Sequence, residues 1–380
     1  LVLLALGLAL FPRPGRGQPI EVKGGFKFAE YYTNSTQMKA LLEGASALPQ
    51  GDGQLLVTKT KYQTFRTNNE VELNVEAPEC VYDQRQKTIS SSGPLRMQIG
   101  NALFSIEGEG FLYHMTNTAL LVSNRVHTIL HPELLSLKTA PPRTNAPAKA
   151  GPGIDVFSDQ FEYVDKSGRG IYQGNVRVAG TNLSSTAGRL TLLMPGTEHR
   201  LQSLTAEQDV IVDYEKIHAT GDRMTYSADT GLIHSSGQPT FRIEDREGSG
   251  DELVFDQTNR IFKASGHARL KIPSQSIGAS SFFSRSGSNS PTALPPTNQF
   301  SEILCSNYEL RTNLAVFRDE VKVSDRLGAA LRGEMTCGLL TVTFTGTNEF
   351  QKMLAEHQVV IAQSNNQFTA DSAEYTGTNG

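Results

Sequence analysis

The sequence predicts an all-β protein made of many short antiparallel strands. Three observations predict it: apolar strand formers alternate with polar residues at period two, turn-forming clusters separate the runs, and one hairpin-sized pattern recurs along the chain. The alternation is plainest in the middle, where Val176 and Val178 share a face, as do Leu190 and Leu192, Val210 and Val212, Phe241 and Ile243, and Leu270 and Ile272. Clusters such as Asp165-Lys-Ser-Gly168 and Asp229-Thr-Gly231 mark the turns. A single helix is expected, over Thr36–Ala47, where Met38, Leu41 and Leu42 fall at helical spacing.

From the N-terminus, Leu1–Phe11 is an uncharged apolar run followed by Arg13, Pro14 and Arg16. It reads as the hydrophobic region of a secretory signal or part of an anchor helix, and a buried first strand is the plainer alternative. The first two readings take the rest of the chain across a membrane. Thr139–Gly153, rich in Pro, Ala and Gly, and Pro273–Asn298, rich in Ser and Pro, lack the periodicity of packed elements and read as linkers. They leave three blocks, of about 20–138, 154–272 and 299–380, in line with ~100–200 residues per domain.

The recurring pattern places an aromatic residue eleven positions before a glycine that opens a strand: Tyr82 and Gly93, Tyr163 and Gly174, Tyr226 and Gly237, Phe255 and Gly266. Asn124 after Tyr113 and Asp319 after Tyr308 are weaker copies. Glycine tolerates positive φ, and Asn and Asp come next, so each copy reads as a hairpin ending in a bulge or tight bend. Pro239 falls where a strand residue is expected, which predicts an edge or a bulge. A longer repeat lies above this one. Thr186-Ala-Gly-Arg-Leu-Thr191 matches Thr336-Cys-Gly-Leu-Leu-Thr341, Val210 and Val212 match Val359 and Ile361, and Tyr226 matches Tyr375. Blocks two and three therefore read as copies of one domain, the third cut short at Gly380, with continuation beyond it expected.

Composition excludes several classes. With 19% charged residues and a net charge of −4, the chain lacks the basic field of a nucleic-acid binder. With 38% hydrophobic residues it is too apolar for disorder and too polar for a polytopic membrane protein. Cys80, Cys305 and Cys337 are too few for a disulfide scaffold or zinc site and read as buried thiols, although Cys305 and Cys337 would be free to pair in an oxidising compartment. The eight His show no metal spacing, there is no G-x-S-x-G elbow, Gly108-Glu-Gly110 reads as a turn, and Glu244-Asp-Arg-Glu247 reads as a solvated hairpin tip. His114 and His127 flank one strand pair and read as cross-strand or solvated residues. No enzyme is expected.

Block two carries Ile171-Tyr-Gln-Gly-Asn-Val-Arg-Val178, Leu204–Val212, Ala219–Tyr226 and Asp251–Asp256 leading to Gly266. In these segments it resembles the OstA-like domain of the periplasmic lipopolysaccharide-transport proteins, the LptA type. Block three resembles the same domain. Block one, with Ala77–Asp83, Lys87 to Gly93 and the apolar N-terminus, is similar to the LptC-type member held at the inner membrane.

The resemblance implies tandem open β-jellyroll (OstA-like) domains built from repeated antiparallel hairpins. The expected layout is a signal or anchor over 1–19, an LptC-like jellyroll over 20–138, a linker over 139–153, an LptA-like jellyroll over 154–272, a linker over 273–298 and a second, truncated jellyroll over 299–380. It further implies a non-enzymatic bridge in the periplasm, without cofactor, metal or nucleic acid, that binds lipopolysaccharide through the acyl chains of lipid A. Its partners would be other jellyroll transport proteins joined edge to edge, an inner-membrane ABC transporter complex and an outer-membrane lipopolysaccharide translocon. Alternation makes Phe161, Val176, Val178, Leu190, Leu192, Val210, Val212, Met224, Phe241, Ile243, Leu253, Phe255, Leu270 and Ile272 the inward apolar groove of block two. Arg177 and Arg269 are candidate rim contacts for lipid phosphates, or else ordinary solvated charges. The rival readings are a structural β-repeat scaffold or adhesin with a filled core, and a carbohydrate-active enzyme, for which no carboxylate pair presents itself.

Overall fold

The computed structural model describes residues 22–99, 104–131, 153–196, 200–283, 299–345 and 349–377. The chain divides into two compact units, residues 1–126 and 127–380. Among the described residues both are built almost wholly of antiparallel strands.

The first unit contains β1 (Val22–Tyr31), β2 (Met38–Gly51), β3 (Gln54–Phe65), β4 (Val71–Asp83), β5 (Thr88–Ile99) and β6 (Phe104–His114). β7 (Ala119–Leu130) carries the chain into the second unit. Neighbours from β1 to β6 pair in sequence order. One face is closely packed, with Leu42, Val57, Tyr62, Val75, Tyr82, Ile89, Met97 and Ile106 buried.

Two expectations are corrected here. Thr36–Ala47 is not a helix: Met38–Gly51 is strand β2, held by β1 on one side and β3 on the other. The short apolar run fits either periodicity, and backbone pairing on both edges decides for the strand. Ala40 and Leu42, two apart, are both buried, as a strand requires. Gly108 and Gly110 lie inside β6 rather than in a turn, and a Cβ on Gly108 would meet Val122 at 2.6 Å, so this glycine admits β7.

The second unit contains β8 (Ile154–Ser158), β9 (Gln160–Val164), β10 (Arg169–Ala179), β11 (Leu183–Leu193), β12 (Ser203–Tyr214), β13 (Ile217–Ser227), β14 (Leu232–Ser236), β15 (Thr240–Ile243), β16 (Arg246–Ser249), β17 (Glu252–Asp256) and β18 (Ile261–Pro273). They are followed by β19 (Gln299–Arg311), β20 (Leu314–Leu327), β21 (Ala330–Thr345), β22 (Glu349–Gln363) and β23 (Asn366–Thr376). Long strands are bent midway. At each bend two successive residues take left-handed backbone: Gly174-Asn175, Gln208-Asp209, Gly266-His267, Asp319-Glu320 and His357-Gln358. The pairing register slips at each of these. At Gly237-Gln238 the same geometry splits the strand into β14 and β15, with the buried Pro239 in the break, as its missing N–H requires. The aromatic-to-glycine pattern thus marks real bends at Gly174, Gly237, Gly266 and Asp319. At Gly93 the register slips between Ser91 and Pro94 although the glycine itself is not left-handed, and at Asn124 the neighbour Arg125 takes the left-handed role.

The 150-residue repeat also holds in register. Leu190 faces Ala206 across the β11–β12 pair, and Leu340 faces Ala355 across β21–β22. The slips at Thr186/Arg189 and Thr336/Leu339 coincide, and Tyr226 and Tyr375 take matching places opposite Leu204 and Met353.

The stretch expected to be a Ser/Pro linker starts differently. Ser274–Ile277 is a 3-10 turn and α1 (Ala279–Phe282) follows, with Ser274, Ile277, Ala279 and Phe283 buried. Periodicity could not reveal it because the segment is a single irregular turn held by tertiary contacts. Residues 284–298, most of 139–153 and Leu1–Phe11 lie outside the described residues. Among those described, no helix is long and apolar enough to cross a membrane. Glu244 and Asp245 form a hairpin tip between β15 and β16. All three cysteines are buried free thiols. Cys305 on β19 and Cys337 on β21 have β20 between them.

Candidate functional site

The inner face of the second unit is set by the pleat. Cross-strand partners on one face form a ladder: Phe161 opposite Tyr172, Tyr172 opposite Leu190, Leu190 opposite Ala206, Ala206 opposite Met224, Met224 opposite Ser235 and Ser235 opposite Leu253. The bulges keep this face inward on both arms of each bent strand, because one unpaired pair of residues restores the alternation.

Most of the predicted groove residues lie on this face. Phe161, Val176, Leu190, Leu192, Val210, Met224, Phe241, Leu253, Leu270 and Ile272 are buried. Val178 and Val212 are half-buried. Ile243 and Phe255 are each 36% exposed although Phe241 and Leu253, two residues before them, are buried. Ile243 belongs to an apolar row at one end of the strands, where Leu183 faces Tyr214, Tyr214 faces Ile217 and Ile217 faces Ile243. Phe255 belongs to a second row, with Leu204, Tyr226, Ile233 and Phe262, at the other end. Block two therefore has a buried middle and accessible apolar margins.

This face does not stop at the end of block two. β18 pairs with β19 from Phe262↔Leu310 to Pro273↔Phe300. Ala264 faces Tyr308 and Leu270 faces Ile303, so the inner ladder passes into β20, β21 and β22 through Phe317, Leu340 and Ala355. One apolar cluster accordingly runs from Phe241 and Leu253 to Met353 and Val359. Aromatic rings cross the same junction: Phe241 to Phe262 at 4.7 Å, Phe262 to Tyr308 at 6.1 Å and Tyr308 to Phe317 at 5.6 Å. Residue-by-residue alternation in block two could not reveal this continuity, which is a property of the β18–β19 pairing. The hydroxyls of Tyr226, Ser235 and Tyr308 are buried on this face without a protein hydrogen-bond partner, places where water or a ligand oxygen would be favoured.

Arg177 and Arg269 are on the other face. Arg177, between inward Val176 and Val178, lies over the Phe157 ring at 4.6 Å. Arg269, between Ala268 and Leu270, donates to Glu302 at 2.5 Å. Neither reaches the inner face, and each has a local partner. His127 meets Asp155 at 2.7 Å and stacks on Phe157, a local cluster within the second unit. Burial pushes the Cys80 and Cys337 thiols up to about 11 and the Cys305 thiol up to about 12, which makes poor nucleophiles of all three. Among the described residues no group of His, Cys, Asp and Glu is arranged to hold a metal ion. The arrangement is suited to holding apolar matter along a face.

Comparison with known proteins agrees with the sequence resemblance. Residues 155–261 match the family model described as LptA/(LptD N-terminal domain) LPS transport protein. Among solved structures, the chain is similar to LptH, described as the LptA homologous periplasmic component of the conserved lipopolysaccharide transport device from Pseudomonas aeruginosa. The identity is 21% and the TM-score 0.27, covering 30% of this chain and 82% of that one. Comparison with curated proteins finds no match. The matched family is one of transport proteins rather than enzymes. Its match spans the strands from β8 to β17 and the start of β18, so it is this stretch of the second unit that is similar to the LptA/(LptD N-terminal domain) LPS transport family.

Proposed function

We propose that this chain is a lipopolysaccharide-binding bridge protein of the periplasm, which passes its ligand from the inner to the outer membrane without chemical change. Blocks 20–138, 154–272 and 299–380 would be successive jellyroll modules of that bridge. The observation that carries the reading is the β18–β19 pairing, which joins the inner faces of blocks two and three without a break. A carrier for a molecule with several acyl chains needs such a face, and each CH₂ group buried on it contributes roughly 0.8 kcal/mol. The accessible margins at Ile243 and Phe255 give those chains a way onto the face, and the unpartnered hydroxyls of Tyr226 and Tyr308 suit the ester or sugar oxygens beside them. On this reading the partners are lipopolysaccharide, neighbouring jellyroll proteins paired edge to edge, an inner-membrane ABC transporter complex and an outer-membrane translocon.

Block three favours a second reading, a dry structural scaffold, because Val323, Leu340 and Val342 are fully buried there. A displacement assay separates the two. Delipidated full-length protein is loaded with a fluorescent acyl probe and titrated with lipid A. Saturable displacement supports the carrier. A folded protein that takes up neither probe nor lipid A is the scaffold.

A further inference from the structure

The interior of block three is already occupied, and the occupant is the chain itself. Ser274–Phe283 lies across the inner face of β19, β20, β21 and β22 and shares one apolar cluster with Val323, Met335, Leu340 and Met353. Ile277, Ala279 and Phe283 are buried. The segment touches both arms of the bent strands. On one arm Gly278 lies against Phe350, and Phe282 packs edge-on to Tyr375 at 5.6 Å. On the other, Phe283 fills the space above Gly333, where a Cβ would come within 2.1 Å of its ring, and the Gln363 side chain donates to the Phe283 carbonyl at 2.8 Å. Block two has the same inner face, but its accessible margins at Ile243 and Phe255 have no equivalent plug among the described residues.

The anchor of the segment suits reversible seating. Ser274 donates to the fully buried Asp325 carboxylate, which Gln299 also reaches at 3.2 Å, with Arg332 at 3.5 Å. On release, water can replace the Ser274 hydroxyl, and the carboxylate gains solvent rather than losing a partner it cannot replace. What then holds the segment is apolar packing, which an acyl chain supplies equally well.

We propose that the inner face of block three is a second acyl-chain site, and that Ser274–Phe283 is its intramolecular occupant, displaced when lipid arrives from block two across the β18–β19 junction. The inference rests on the carrier reading above. Lipid entry into block three is then in competition with the chain's own segment, so the fraction of open sites sets its apparent affinity.

The test uses the full chain with a diazirine side chain either at Val178, reporting on block two, or at Met353, reporting on block three, and lipid A as the probe. Gly333→Ala crowds Phe283 out without removing any apolar group, and Phe283→Ala weakens the plug directly. Phe283→Leu, which keeps the packing, is the control, and circular dichroism confirms that each variant folds. Both opening variants should raise lipid A labelling at Met353 by roughly tenfold, the population shift expected from one lost buried contact. Labelling at Val178 should stay unchanged and Phe283→Leu should behave like the parent. Equal labelling at Met353 in all variants, with Val178 labelled normally, overturns the plug while sparing the carrier. No labelling at either position in folded protein overturns both.

Discussion

Asp251 sits directly over Gly266. Its N–H donates to the Gly266 carbonyl at 2.7 Å, and a Cβ added to Gly266 would come within 2.2 Å of its carboxylate oxygen. The same relationship joins Asp159 to Gly174 and Asp222 to Gly237, always fifteen residues apart. At Gly266 φ is +68°, so a side chain there meets both backbone strain and a steric clash. Gly266→Ala should lower stability by about 2–4 kcal/mol, combining ~1–2 for the left-handed backbone with the cost of moving Asp251. Urea unfolding measures this, and an unchanged midpoint would show that the bend is not a constraint.

The junction between blocks two and three rests on aromatic packing. A Cβ on Gly248 would lie 2.2 Å from the Phe241 ring and 2.8 Å from the Tyr308 hydroxyl. Gly248→Ala should therefore cost about 1–3 kcal/mol by overpacking. Tyr308→Ala should cost about 3–5 kcal/mol, since the ring is almost wholly buried. A double-mutant cycle between Phe262 and Tyr308 should give a coupling of about 0.5–1.5 kcal/mol. Strict additivity of the two would mean that the rings are not in energetic contact.

Asp325 is fully buried among Ser274, Gln299, Ser301 and Arg332. Asp325→Ala should destabilise by about 2–4 kcal/mol because it removes the buried acceptor shared by Ser274, Gln299 and Ser301 and leaves those donors in a site with little water. Ser274→Ala should cost only about 1–2 kcal/mol, as one hydroxyl is lost from a network with other donors. Thermal unfolding of the two variants gives the order directly, and a milder effect for Asp325→Ala would contradict the network.

The raised thiol values give a pH dependence of definite sign. An unfolded cysteine ionises near about 8.5, whereas Cys80 and Cys337 ionise near 11 and Cys305 near 12 in the fold. Their folded values are raised, so the stabilisation is fully present below about pH 8.5 and is lost as pH rises toward those folded values. Stability should fall between pH 8 and 11, and less steeply in a Cys80→Ala variant. A thiol reagent at pH 8 should react with the native protein only as fast as it opens. Rapid stoichiometric labelling would mean that the thiols are not buried.

Much of this fold is written in local pattern. Val176 and Val178, or Leu190 and Leu192, announce strand and inner face together because a pleated strand has one period and one buried side. Turn chemistry announces the bends at Gly174, Gly266 and Asp319, since Gly, Asn and Asp sit most easily at positive φ, but not the one at His357-Gln358. What was not legible depends on contacts distant in sequence. Met38–Gly51 is a strand because β1 and β3 flank it, and Ser274–Phe283 is packed because Gly333 and Asp325, about fifty residues on, make room and provide a polar anchor. The candidate site divides in the same way: its lining follows from alternation, while its continuation into block three follows from the β18–β19 pairing.

The most direct measurement is photo-crosslinking in living cells of the native host, with a diazirine side chain at Val178 or Phe255 on the inner margin and at Arg177 on the outer face. The account predicts a lipopolysaccharide adduct at Val178 and Phe255 and none at Arg177. A folded, correctly exported protein that gives no adduct at either inner position, or labels equally on both faces, would contradict it.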